Sequence, residues 1–529
     1  MKRWEVLLAI AGAALLALSA WAIKRTQLPH RDSVVVTGDC HMPVTIVGPA
    51  AKSRPAAILF HGLAADRRIM EPLGDYLATE NKLRVYLFDL AGHGDNIDAF
   101  SFVRADACAR VTVESMIRSG EVDPKRTILV GHSMGGAIAI RLADRAPVAG
   151  TIAISPAPMP LPQRMPSNLL VFSAEFDLPI LKSAARALAQ AAGGERTKPD
   201  DFLQARAFHL EVTSLSDHTS LLVDPRVLQQ ASEWADDVLY SSEQKDLGIN
   251  DWNEQVGWDY RSLDVWGLKG HLLLLLAAYG KVAPYAGLLA MFLLYPMCAT
   301  IVTKLVGRLN SGSRPPSPPV RLVLAEGAVC ALGTVLVLAR LLPMRFVRLY
   351  TGDYLASLLL IAGVLLLALN WKFVRQSLSF DLRAFLAAAA LGFSVMLGIG
   401  AWLNWQTADL WLNAPRWWRF AALLPAAWIF CFSEEVILGC VGEGWGRAAR
   451  FGVCIAVRAE LWLACLLTYY ALASGQVLML ILVASFAVFS LLQRLATDAL
   501  RLRTGSPTAA TLFGAILCAW FIAAVFPLT

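Results

Sequence analysis

Charge is what this 529-residue chain has little of: 17% of its residues are Asp, Glu, Lys or Arg, against roughly a quarter in ordinary soluble domains. Hydrophobic residues make up 56%, and the imbalance is concentrated after residue 270, which excludes a single soluble globule. Histidine is scarce too. There are eight, none follows His271, and no cysteine–histidine spacing of the zinc type occurs, so no metal and no organic cofactor is implied. Lys and Arg exceed Asp and Glu by only six, spread through loops without a concentrated patch, which argues against nucleic acid as a partner. Of nine cysteines only Cys40 and Cys108 precede residue 298. They could pair in an oxidising compartment, although sequence alone does not place them within bonding distance. The other seven fall in apolar spans or their ends, where cysteine acts as a small hydrophobe.

What the chain has in abundance is uncharged runs of bilayer length. After residue 270 they cover 282–303, 354–371, 384–408 and 509–529; 322–339 and 420–442 join them, interrupted by Glu326 and by Glu434-Glu435. The run 461–493 is too long for one ordinary span and divides at Ser474-Gly475-Gln476, giving eight expected spans over 271–529. At the N-terminus, Lys2 and Arg3 precede an uncharged run from Val6 to Ile23 that Lys24 and Arg25 close. Its length favours a signal anchor over residues 1–25; the alternative is a signal peptide cleaved after Ala20-Trp21-Ala22.

Loop charges give the orientation, because lysine and arginine resist translocation. With Lys2 and Arg3 inside, the groups Lys304/Arg308/Arg314/Arg321, Lys372/Arg375/Arg383, Arg447/Arg450/Arg458 and Arg494/Arg501/Arg503 also fall inside. Arg340, Arg345, Arg348, Arg416 and Arg419 run against the trend. The expected location is a bacterial inner membrane, with residues 33–240 on the periplasmic side. The apolar piece 271–281 is either interfacial or an extension of the next helix. Trp252, Trp258, Tyr260 and Trp266 in the linker 241–270, and Trp402, Trp405, Trp411, Trp417 and Trp418, suit the headgroup zone.

Residues 127–137, Thr-Ile-Leu-Val-Gly-His-Ser-Met-Gly-Gly-Ala, carry the chemistry. An apolar β-rich run breaks into G-x-S-x-G and then into a small-residue helix start. Such a strained strand-to-helix turn pushes the Ser133 oxygen clear of the backbone, while Gly131 and Gly135 remove side chains that would clash beneath it. The Met134 N–H, at a helix start, is free to bind an oxyanion. Around this turn, strand signals at 33–37, 44–47, 56–60, 84–89, 127–130, 150–155, 169–173 and about 205–212 alternate with helical patterns near 66–80, 104–119, 134–145, 180–193 and 225–239. That alternation predicts a doubly wound, mostly parallel α/β sheet with its functional groups at the carboxyl edge. The remainder of the chain is an all-α polytopic membrane domain.

With His61-Gly62 after the third strand, Asp89-Leu90-Ala91-Gly92-His93-Gly94 after the fourth and Gly131-His132-Ser133-Met134-Gly135 after the fifth, residues 33–240 resemble the α/β-hydrolase family. The resemblance implies a nucleophile, an acid and a base in that order. Asp177 follows the seventh strand and His218 lies in Ser-Asp-His-Thr-Ser after the eighth. His218 would take the Ser133 proton, Asp177 would orient the imidazole, and Leu63 N–H would be the second oxyanion donor. Glu175 competes for the acid role but better suits a cap or pair; His209 reads as a strand histidine, and His93 as a loop brace. The lid common among relatives has no room here, since five of residues 156–166 are proline and cannot form a helical cap.

Glu434-Glu435 faintly resembles the paired glutamates of intramembrane CAAX-type metalloproteases, but the expected arginine and all later histidines are missing. A structural pair, satisfied by Arg458 or lying near a membrane boundary, is the preferred reading; a substrate or ion pathway is the alternative. Taken together, the expectation is a membrane-anchored serine hydrolase acting on a small-molecule ester or acyl lipid next to its lipid bilayer. Peptidase or acyltransferase chemistry would use the same triad. A lipid transporter or scaffold with a sensing domain is the competing class, and the sequence leaves the oligomeric state open.

Overall fold

Continuous apolar runs, rather than alternating ones, build the central sheet. The computed structural model describes residues 3–529 apart from 50–54, 147, 248–267, 307–319, 342–345, 379, 407, 439–446 and 473–476. It divides into two units, described separately below. One comprises Ala22–Val282, Trp405–Asp409 and Pro527–Thr529; the other comprises Met1–Trp21, Ala283–Asn404 and Leu410–Phe526.

After helix α1 (Arg3–Thr26), the first unit runs β1 (His30–Thr37), β2 (Cys40–Val47), β3 (Ala56–Phe60), α2 (Glu71–Glu80), β4 (Arg84–Phe88), α3 (Phe102–Arg118), β5 (Thr127–His132) and α4 (Met134–Arg145). It continues through β6 (Gly150–Ile154), β7 (Leu169–Ala174), α5 (Pro179–Ala192), α6 (Pro199–Leu203), β8 (Phe208–Thr213) and α7 (Pro225–Leu247). The eight strands form one sheet in the order β1-β2-β4-β3-β5-β6-β7-β8. The β1–β2 and β2–β4 pairs are antiparallel and the rest parallel, so the mostly parallel sheet expected from the alternation is present. Every residue of β3 to β7 is buried, as a sheet covered by helices on both faces requires. Alternate residues serve opposite faces. Ile152, Ile154, Leu170 and Phe172 pack with Leu73 and Leu77 of α2 and Val227 and Trp234 of α7. Their neighbours Ala153, Leu169 and Val171 pack with Ile140 of α4 and Leu188 of α5.

Two further features frame the carboxyl edge. Residues 156–168, between β6 and β7, contain no helix, because proline at five of these positions withholds the backbone donors a helix needs. Cys40 at the start of β2 and Cys108 of α3 form a disulfide with Cα atoms 5.4 Å apart, tying the antiparallel hairpin to the helix that packs on it.

The helical region continues with α8 (Leu268–Val306), α9 (Val320–Leu341), α10 (Gly352–Leu369), α11 (Trp371–Ser377), α12 (Leu382–Gln406), α13 (Ala414–Ile437), α14 (Arg447–Leu472), α15 (Val477–Thr504) and α16 (Pro507–Val525). Among the described residues, seven helices are long and apolar enough to cross a membrane: α1, α8, α9, α10, α12, α13 and α16. Helices α14 and α15 contain the two runs expected on either side of Ser474-Gly475-Gln476; that break, like the linker tryptophans at 252, 258 and 266, lies outside the described residues. The ambiguous piece 271–281 is part of α8, continuous with the span that follows. Helix α16 is apolar and buried almost all round, which marks a helix enclosed by others. Its last carbonyls, at Ala523 and just beyond it at Phe526, accept hydrogen bonds from Arg416 Nη1 at 2.6 and 2.9 Å, a cation where the helix dipole is negative.

Glu434 and Glu435 are buried ion-pair members. Arg458 grips Glu434 with Nε at 2.5 Å and Nη2 at 2.7 Å, and Arg494 and Arg501 each lie 2.7 Å from Glu435. Arg458 answers the sequence expectation for the first carboxylate. The partners of the second come from α15, about two turns apart along one helix face.

The disulfide closes a 68-residue separation, and removing such a link from the unfolded chain's constraints costs about 2–4 kcal/mol. The Cys40→Ala/Cys108→Ala protein should therefore show a lower thermal midpoint than the parent in detergent solution. Reductant should lower the parent's midpoint and leave the variant's unchanged.

Candidate active site

Strand β5 ends at His132 and helix α4 begins at Met134, so Ser133 alone turns the chain, with φ 53° and ψ −114°. A non-glycine residue at positive φ is strained, and the strain is held by close packing on both sides. A Cβ on Gly131 would lie 2.1 Å from Gly135 O, and one on Gly135 would lie 2.1 Å from Phe60 O. Hydrogen bonds from Ser133 N to Ile154 O and from Ala157 N to Ser133 O, both 2.9 Å, fix the turn from the β6 side. Met134 opens α4, placing its N–H among the donors of a helix start.

The loop after β3 runs beside this turn. A Cβ on Gly62 would come within 3.1 Å of Ser133 Cβ, so Leu63 follows directly from a contact with Ser133. Histidines hold the loop. His61 Nε2 accepts from Leu90 N at 3.0 Å while Nδ1 donates to Gly62 O at 2.7 Å. His93 Nε2 accepts from Ala64 N at 3.1 Å, with Nδ1 on Ala91 O at 2.8 Å. His93 is thus a loop brace, as its glycine turn suggested. Both bonding patterns need neutral rings, and burial lowers the His61 pKa accordingly. Asp89 completes the clamp by pairing with the Arg67 guanidinium and accepting Arg67 N at 2.7 Å.

Across the sheet, the structure brings Asp177 and His218 together at the carboxyl ends of β7 and β8. His218 Nδ1 lies 3.1 Å from Asp177 Oδ1, and both residues are buried. With the proton on Nδ1, Nε2 keeps its lone pair for a substrate-side proton. Burial opposes the Asp177 charge, but hydrogen bonds from His218 and Ser155, the Leu178 N–H and the nearby imidazole hold its pKa below the usual carboxylate value. The ring of His132, the residue just before Ser133, lies 4.6 Å from the His218 ring, and His132 Nε2 donates to His218 O at 2.9 Å. Burial, with the neighbouring imidazole, pushes the His132 pKa down to about 3, so it packs as a neutral ring and is unsuited to proton transfer near neutrality.

The two competing residues have other partners. Glu175 Oε2 accepts Leu215 N at 2.8 Å, and His209 lies against Glu195 and Glu211 on β8.

Sequence reasoning missed Ser155. It follows β6 with φ 43°, donates Oγ to Asp177 Oδ2 and sits 3.0 Å from His218 Nδ1. Its role depends on the adjacency of β6 to the strand that precedes Asp177, which the fold sets and the sequence does not display. Because the Asp177 pKa falls below its ordinary 3.8, this carboxylate adds stability at pH values above 3.8, and the contribution is lost as pH falls through the lowered value. Ser155→Ala removes one donor to a charged acceptor, worth about 1.5–3 kcal/mol. Its thermal midpoint in detergent should fall at pH 7, and the gap to the parent should narrow by pH 3.

Residues 57–293 match the family model described as Alpha/beta hydrolase family. An uncharacterized protein of Mycobacterium tuberculosis is 35% identical over 132 residues, 24% of this chain and 45% of that protein. Ethanol acetyltransferase 1 of Eremothecium cymbalariae is 30% identical over 161 residues, 30% of this chain and 44% of that enzyme. The chain therefore spans less than half the length of the curated relatives it matches. Among solved structures, a hyperthermophilic esterase from Pyrobaculum calidifontis aligns with TM-score 0.33 and 16% identity over 46% of this chain and 92% of that one. Residues 57–293, which carry the elbow and strands β3 to β8, are therefore an α/β-hydrolase region.

Proposed function

We propose that the protein is a membrane-anchored serine hydrolase that cleaves carboxylic esters, with acyl lipids or other lipophilic esters as its substrate class. The observation that carries the reading is the Asp177–His218 hydrogen bond at the edge of the sheet where Ser133 turns at positive φ. Ser133 Oγ attacks the ester carbonyl carbon as His218 Nε2 takes its proton, and Asp177 stabilises the imidazolium. The Met134 and Leu63 N–H groups receive the oxyanion. Collapse of the tetrahedral intermediate expels the alcohol, which leaves with the proton from His218, and Ser133 remains acylated. Water then repeats the sequence and releases the acid.

Location follows from two independent supports. Lys2 and Arg3 before the first span, with basic loops after the later ones, favour export of the residues that follow α1. The Cys40–Cys108 disulfide suits an oxidising periplasm. Neither metal nor organic cofactor takes part in this chemistry.

A second reading rests on the Glu434, Glu435, Arg458, Arg494 and Arg501 cluster, since buried ionic groups in membrane helices often line pathways. On that reading the helices move or position a lipid and the hydrolase-like domain senses it. Acyl transfer to an alcohol in place of water, or peptide cleavage, would use the same residues.

One experiment separates these. Fluorophosphonate labelling of the full-length protein, with p-nitrophenyl ester turnover, should be abolished by Ser133→Ala and by His218→Ala, with kcat reduced by roughly 10³-fold or more. Lipid profiling of a strain carrying Ser133→Ala should show the uncleaved ester accumulating. Retained biological activity in that strain, with no labelling of the parent, would establish the transport or scaffold reading instead.

A further inference from the structure

Two short segments from far along the chain, Trp405–Asp409 and Pro527–Thr529, fold as part of the hydrolase unit. The uncharged run 509–529 reads as one span, yet its last three residues join the loop after β4. Leu528 is buried, and its backbone makes two hydrogen bonds there. Leu528 N donates to Gly92 O at 2.9 Å, and Leu528 O accepts from Phe100 N at 2.6 Å. One residue thus clasps both ends of the 92–100 turn. Gly92 has φ 77°, and a Cβ on it would lie 2.7 Å from Leu528 O and 2.6 Å from Phe100 Cβ. Glycine at this position of the Asp89-Leu90-Ala91-Gly92-His93-Gly94 run is therefore what admits Leu528.

The clasp holds His93. This ring follows Gly92 directly, meets Phe100 edge-on with centroids 5.0 Å apart, and lies 5.0 Å from the His61 ring. Its Nε2 accepts the Ala64 N–H at 3.1 Å, one residue beyond Leu63. An unbroken series of contacts runs from Leu528 to Gly92 and Phe100, from these to His93, and from His93 to Ala64.

Asp409 makes a matching contact on the loop after β3. Its N–H donates to Asp66 Oδ2 at 2.7 Å, while Asp66 Oδ1 accepts Arg68 N at 2.9 Å. Asp66 lies three residues after Leu63, so the segment containing Leu63 is held at two points, and both tethers lead to residues beyond 400. Such fixing matters because an oxyanion donor acts only when aimed in advance at the place where charge develops, and a displacement of about 1 Å can cost about 100-fold in rate.

We propose that Leu528 is a positioning residue for the hydrolase reaction: its backbone clasp on Gly92 and Phe100 holds His93 against Ala64 and so keeps the Leu63 N–H aimed at the oxyanion. The proposal rests on the hydrolase reading above and adds to it a residue that no local motif marks. Leu528 touches no reacting atom.

The test uses the full-length protein in detergent, with p-nitrophenyl acetate as substrate. Leu528→Pro removes the N–H that reaches Gly92, and deletion of residues 527–529 removes both bonds. Each should lower kcat and kcat/KM together by roughly tenfold or more, with KM within about twofold, the pattern of an interaction made in the transition state. Leu528→Met keeps both backbone bonds and nearly the same volume, and should hold kcat within about threefold of the parent. A lower thermal midpoint with kcat unchanged would reduce Leu528 to a structural role and overturn the proposal. So would a loss in Leu528→Met as deep as in Leu528→Pro. Hydrogen exchange of the parent, read by mass spectrometry with electron-transfer fragmentation, depends on neither a variant nor turnover. The Phe100 and Ala64 amides should exchange slowly, and deletion of 527–529 should speed both by about tenfold or more. Fast exchange of either amide in the parent would overturn the clasp even in an active enzyme. Slow exchange of both, in a parent that neither hydrolyses the ester nor takes up fluorophosphonate, would uphold the clasp and refute the hydrolase reading.

Discussion

The architecture of the hydrolase unit depends on backbone-to-backbone contact beneath Ser133. Gly131 meets the carbonyl of Gly135, and Gly135 meets that of Phe60, at distances that leave no room for a methyl group. This contact presses α4 onto β3 and β5 and forces the intervening residue to positive φ. Beside it, Gly62 lies against Ser133 and the His132 ring against that of His218. A loop from β3, the turn after β5 and the histidine after β8 thereby converge, although they are distant along the chain. Fully buried strands on either side make the arrangement stiff, because a close-packed interior has no slack through which the turn could relax.

Much of this was legible in the sequence because its determinants are local. Glycines two residues either side of a serine, after an apolar run and before a small-residue helix start, define the turn without reference to the rest of the fold. Uniformly apolar strands define a sheet covered on both faces. Ser155 was not legible: its role arises from the side-by-side pairing of β6 with β7, and a serine after a strand carries no such mark by itself. The same holds for Arg494 and Arg501 opposite Glu435. Spacing along α15 puts the two arginines on one face, but only helix packing decides which carboxylate that face meets.

Charge is handled differently in the two kinds of material. In the hydrolase unit, buried Asp89 is matched by Arg67 and backbone donors around one loop, so the pair organises a turn next to Ser133. In the helical region, Glu434 and Glu435 are matched by three arginines from two neighbouring helices. Removing one member of such a group leaves an uncompensated buried charge, which is far more destabilising than never having had the pair. The cluster thus locks α13, α14 and α15 in register, where apolar side chains alone would allow sliding.

The proline-rich connection between β6 and β7 has a kinetic corollary. With φ fixed at so many of its positions, it has little freedom to fold over a ligand and later reopen. Any movement of this connection over a ligand is correspondingly limited. Whatever selectivity it contributes comes from a fixed contour, much as a mould rather than a trap discriminates among the objects that fit it.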